Sequence, residues 1–107
     1  MQHVVRLNSQ TDFENFMNDN KDWYHRMSFE KIKENFYGDS LESLELIEFK
    51  FNNENEEDLI LSVTSEDIDM NLSYTLAYFE DIEDYEMCSE VRDLINNVKI
   101  IENAKEV

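Results

Sequence analysis

The side chains able to do chemistry in this 107-residue chain are one cysteine, two histidines and 26 aspartates and glutamates, against nine lysines and arginines. Cys88 with His3 or His25 would make a nucleophile and its base. Histidines with acidic neighbours would make a metal site, and two carboxylates at a suitable separation would make an acid and a base. The spacing favours none of these. His3 and His25 fall in different elements, and Cys88 sits on the apolar seam of a helix, where a thiol serves as a small core residue. Asn52 to Asp58 offers many oxygens but has neither the glycine nor the spacing of a calcium loop, so it reads as a solvated hairpin loop. With so many carboxylates, pairs are inevitable and carry no signal. A single glycine cannot build a phosphate-cradling loop. We therefore expect no catalytic residue, no metal ligand, no cofactor, and a protein that is not an enzyme.

The elements around these residues read as one α+β domain spanning 1–107, with 99–107 as a fraying tail. Low hydrophobicity and high charge favour disorder, but one Trp, five Tyr and seven Phe supply anchors for a small core. His3 to Leu7 is β-branched and strand-like. Thr11-Asp12-Phe13-Glu14 fits a capping box, which predicts a helix over Asp12 to Asp19. A second helix is expected from Ser28 or Phe29 to Tyr37, with the stripe Phe29, Ile32, Phe36 and a cap at Gly38. Trp23-Tyr24 extends one helix or the other. Leu44 to Phe51 and Leu59 to Val63 alternate and form a β-hairpin over 44–64, with Ile47 breaking phase as a bulge would. Asp67 to Leu72 fits either a third strand or the lead-in to a helix. The sheet is expected to be small and mainly antiparallel. From 73 to 98 the period becomes helical, broken at Glu83-Asp84, which predicts a helical hairpin.

Asp84-Tyr85-Glu86-Met87-Cys88-Ser89-Glu90-Val91-Arg92-Asp93-Leu94-Ile95 resembles the UVR motif, the short antiparallel helical hairpin of UvrB, UvrC, the McsA adaptor and the linkers of some Clp ATPases. The motif's acidic–aromatic turn is matched by Asp84 and Tyr85, its Arg-Asp pair by Arg92 and Asp93, and its aliphatics by Val91 and Ile95. Its two small residues are here Cys88 and Ser89 in place of the usual alanines, and Leu76-Ala77-Tyr78-Phe79 carries no basic residue. The likeness covers about 25 of the 107 residues. It implies a protein–protein contact hairpin without an active site, in which Tyr85 plugs the turn.

Charge says more about partners than any motif. The net charge is −17, which sets the chain against anionic membranes and against direct contact with nucleic acid. No apolar run reaches the roughly 18 residues of a membrane span. A lone cysteine and the lack of a secretory pattern at the start suit the cytoplasm. From Phe51 to Val91 thirteen acidic residues occur without one lysine or arginine. They gather at Glu54, Glu56, Glu57 and Asp58, and again at Glu80, Asp81, Glu83, Asp84, Glu86 and Glu90. A solubilising surface would account for them. So would a surface made to face a basic protein, such as a nuclease, a restriction or CRISPR effector, or a polymerase. In size, charge and lack of motif the chain is similar to the small acidic inhibitors by which bacteriophages mimic DNA as anti-defence factors. On that reading these carboxylates would contact lysines and arginines, with Tyr85, Tyr78 or Trp23 as a desolvated anchor. A different expectation is an adaptor or assembly subunit that docks or self-associates, as a homodimer for instance, through the C-terminal hairpin.

Overall fold

A computed structural model describes the backbone of residues 3–35 and 43–105 and side chains as far as Val98. The fold is α+β: a three-stranded sheet with four helices in the order β1 (His3–Leu7), α1 (Gln10–Asp19), α2 (Lys21–Asn35), β2 (Ser43–Phe51), β3 (Leu59–Thr64), α3 (Ile68–Asp81), α4 (Tyr85–Lys105). β2 and β3 form the expected antiparallel hairpin. β1 lies on the other side of β2 and runs parallel to it, from His3 opposite Ile47 to Leu7 opposite Phe51. The sheet is therefore mixed, with one pairing of each kind. A parallel pair needs a long crossover, which α1 and α2 supply.

The break in alternation near Ile47 is a bulge. Glu45 faces Ser62 and Ile47 faces Leu61, so Leu46 is the extra residue. The inserted residue lets Leu46 and Ile47 both be buried. The Leu46 carbonyl accepts a hydrogen bond from the Lys31 ammonium at 3.2 Å, which ties α2 to the bulge.

Three helix limits differ from the sequence pattern. The cap of α1 is Ser9, whose hydroxyl accepts from the Asp12 N–H at 3.2 Å while the Asp12 carboxylate accepts from the Asn8 N–H at 3.3 Å. The expected box Thr11-Asp12-Phe13-Glu14 lies inside the first turns of the helix and is not its cap. α2 begins at Lys21 and takes in Trp23-Tyr24, seven positions ahead of Ser28. Phe36, Tyr37 and Gly38 lie outside the described residues. Asp67 to Leu72 resolves as helix: Ile68 and Leu72 are buried and Met70 is exposed, a four-residue period. The helical backbone of α4 continues past Ile100 to Lys105, where a tail was expected.

Helices cover one face of the sheet. Phe49 is wholly buried there, with the rings of Phe13 and Phe16 set edge-on at 4.9 and 5.8 Å. Burying such a ring is worth roughly 2–3 kcal/mol. Phe29 and Ile32 of α2, Ile68, Leu72 and Phe79 of α3, and Cys88, Val91 and Val98 of α4 complete the core. The opposite face shows Val4 and Ile60 to solvent on either side of Glu48, in one cross-strand row.

Candidate functional site

The most specific local geometry is at the tip of the α3–α4 hairpin. α3 ends in a Schellman turn: the Asp84 N–H donates to the Phe79 carbonyl at 2.9 Å and the Glu83 N–H to the Glu80 carbonyl at 3.1 Å. The turn forces Glu83 to a φ of 58°, a left-handed conformation that ordinarily falls to glycine. Asp84 then starts α4, one carboxylate oxygen accepting from the Met87 N–H at 3.2 Å. The other oxygen accepts from Arg26 of α2 at 2.8 Å. Arg26 also donates through Nε to Asp22 at 2.8 Å, and its guanidinium lies 5.1 Å from the centre of the Phe79 ring. Tyr78 donates its hydroxyl to the second oxygen of Asp22 at 3.0 Å. The His25 ring stacks on Tyr78 at 4.6 Å, with Nδ1 3.0 Å from the Thr75 hydroxyl.

This network sets its own ionisation. Hydrogen bonds from Arg26 hold the carboxyls of Asp22 and Asp84 below the usual range, and the Met87 N–H adds to the effect at Asp84. The two carboxylates in turn raise Arg26. Burial pushes His25 down, so the imidazole is held in its neutral form. Burial first, and Asp22 second, push Tyr78 up.

The expected partner-facing residues separate into three groups. Asp84, Glu80 and Glu90 are paired within the chain, to Arg26 at 2.8 Å, Arg92 at 3.1 Å and Lys33 at 3.7 Å. The basic-free stretch is thus partly neutralised by cations from outside it. Glu56 turns inward instead: one oxygen accepts from the Gln10 N–H at 3.3 Å, at the positive end of α1, and the other is buried without a partner. Glu54, Glu57 and Asp58 in the loop, and Asp81, Glu83 and Glu86 at the tip, are exposed and enter no ion pair among the described residues. The two exposed sets lie toward different ends of the sheet. The loop closes the Phe51 end of the sheet, tied to the start of α1. The tip is tied to Arg26, which lines a cleft with His3 and Leu44 toward the other end.

Tyr85 does not plug the turn. It is 70% exposed, and Ile82 beside it is 45% exposed. Phe79, wholly buried beneath Arg26, fills the space under the tip instead. Trp23 packs edge-on between His3 and Phe16, and Tyr78 is fixed by Asp22 and His25. Cys88 is wholly buried on the α4 seam. Two concave surfaces escaped the sequence reading. One is the cleft of about 780 Å³ between α2 and the start of β2. The other is a groove of about 660 Å³ between α2 and α3, walled by Tyr24, His25, Tyr74 and Tyr78. The step of four from Tyr74 to Tyr78 was visible in the sequence, but nothing there placed α2 opposite them.

No helix among the described residues is long and apolar enough to cross a membrane. In comparisons with protein-family models, curated proteins and solved structures, nothing matches the chain.

Proposed function

We propose that this chain is a non-enzymatic acidic binding protein that docks on a basic, nucleic-acid-handling protein and inhibits or regulates it, its carboxylates standing where phosphates would. The α3–α4 tip carries this reading. Tyr85 and Ile82 are exposed there, and so are their neighbours in the chain Asp81, Glu83 and Glu86, which sets apolar side chains among negative charge. Binding surfaces concentrate their energy in such aromatic anchors and draw their encounter rate from the surrounding charge. The Schellman turn and the Arg26 clasp hold the tip in one shape before any partner arrives, which lowers the ordering cost of binding.

The test is affinity capture from a bacterial lysate at low salt, identification of the retained protein, and titration of the purified complex with salt and duplex DNA. Weakening in moderate salt, displacement by DNA, and loss of affinity in Tyr85→Ala and Glu86→Gln are expected. Binding that is indifferent to salt and to DNA would sink the charge-mimic reading. It would favour an adaptor or self-associating subunit, a role for which the exposed Tyr85 also speaks.

A further inference from the structure

Asn71, Tyr74, Tyr78 and Asp81 recur along α3 in steps of three and four, so they lie on one side of the helix, and all four line its groove with α2. Three of them leave a chemical capacity unspent. Tyr74 is 65% exposed, its ring open to a ligand. The side-chain oxygen of Asn71 is buried without a hydrogen-bond donor, so turning the amide outward to meet an arriving donor would cost that oxygen no existing bond. Asp81 is exposed and enters no ion pair among the described residues. Tyr78, by contrast, is held rigid by His25 on one face and by Asp22 at its hydroxyl. A π face beside an unfilled acceptor suits a flat, donor-rich cation, and among side chains only the guanidinium is both flat and donor-rich. Asn71 and Asp81 are ten residues apart, about 15 Å of helix, too far for one guanidinium to reach both.

We infer that the α2–α3 groove seats a basic segment of the partner protein. One arginine stacks on Tyr74 and donates to Asn71, and a second cation about 15 Å away, some four or five residues along an extended chain, pairs with Asp81. The inference rests on the proposed function for the partner's charge, and adds where the cations go and why arginine is preferred to lysine. Lys21 is the one cation among the described residues that line the groove. It opposes such a ligand and so reports the ligand's sign.

The test is a titration of the ¹⁵N-labelled full chain at low salt with three peptides: acetyl-RAAAR-amide and its lysine and glutamate analogues. Saturable shifts at Asn71, Tyr74 and Asp81 are expected for the arginine peptide, with weaker binding of the lysine analogue. Tyr74→Ala, a change at an exposed position, is expected to weaken the arginine peptide about five- to tenfold. Lys21→Gln is expected to tighten it. Shifts confined to Glu54, Glu57, Asp58, Glu83 and Glu86 would overturn the groove and leave the charge-mimic reading standing. No saturable binding of either cationic peptide would overturn both. Preferential binding of the glutamate peptide would reverse the assigned sign. Self-association lost in Tyr74→Ala would make a second copy of the chain the occupant and likewise overturn the inference.

Discussion

Arg26 and Asp84 lie 58 positions apart in the chain and meet at 2.8 Å, joining the middle of α2 to the residue that caps α4. The same guanidinium holds Asp22 and covers Phe79, so one side chain sets the position of the hairpin tip on the rest of the molecule.

Replacing Arg26 with leucine is expected to lower the melting temperature by a few degrees, since exposed ion pairs contribute little singly and a bridging guanidinium somewhat more. Arg26→Lys, which can reach one carboxylate but cannot fork between two, should fall between the variant and the parent. Amide exchange at 82–87 should speed up in both. If those amides are unchanged in the leucine variant, the clasp does not hold the tip.

Glu83→Gly is expected to stabilise the protein by about 0.5–1 kcal/mol. It relieves the left-handed strain of an L-residue, and the greater freedom of glycine in the unfolded chain takes back part of the gain. Glu83→Gln separates backbone from charge, because it keeps the strain. Urea denaturation should show the gain as a shifted midpoint at constant slope, in the glycine variant only.

His25 gives a pH dependence whose sign follows from its burial. Its folded pKa lies below the ordinary 6.5, so the unfolded chain binds the proton first as pH falls. The stability it contributes is complete above about 6.5 and is lost as pH falls through the folded value. Nearby Asp22 works against the depression and Lys21 with it. In His25→Asn, which keeps a nitrogen near Thr75, the fall in melting temperature from pH 7 to 5 should be shallower than in the parent. Equal slopes would show that the imidazole keeps its ordinary value on folding. Asp22 and Asp84, also depressed, add a second loss of the same sign at lower pH.

Moderate salt is expected to raise the melting temperature, because screening relieves repulsion within a chain of net charge −17. The five ion pairs among the described residues lose strength at the same time, but all are at least partly exposed and each is worth little. A melting temperature that drops on adding salt would mean that the pairs outweigh the repulsion.

Local signals in this sequence were legible and distant ones were not. Alternation at Leu44, Leu46, Leu59 and Leu61 announced the hairpin and even its bulge, because a strand's period is written in adjacent residues. The pattern leaves open which helix Trp23-Tyr24 extends, and it does not show the start of α2 at Lys21, because Trp23, Tyr24, His25 and Arg26 form no apolar stripe. The partners of His25 and Arg26 are Thr75, Tyr78 and Asp84, on elements that no local pattern links to them. The acidic clusters looked uncompensated for the same reason, since Lys33 and Arg26 reach Glu90 and Asp84 only in the folded chain. The cap of α1 falls on Ser9, two residues before the Thr11 box that the local pattern favours. The groove beside Tyr74 needed both helices in place before it existed.

The parallel seating of β1 has a consequence for the order of assembly. Its partner residues follow it by 44 positions, as in His3 with Ile47, whereas β2 meets β3 across a short loop and α3 meets α4 across a three-residue turn. Closing that separation costs more chain entropy than closing either hairpin, so the two hairpins are expected to condense first and β1 to dock last. Changes in the pairing of Val5 and Leu7 should therefore hasten unfolding and leave the refolding rate nearly untouched.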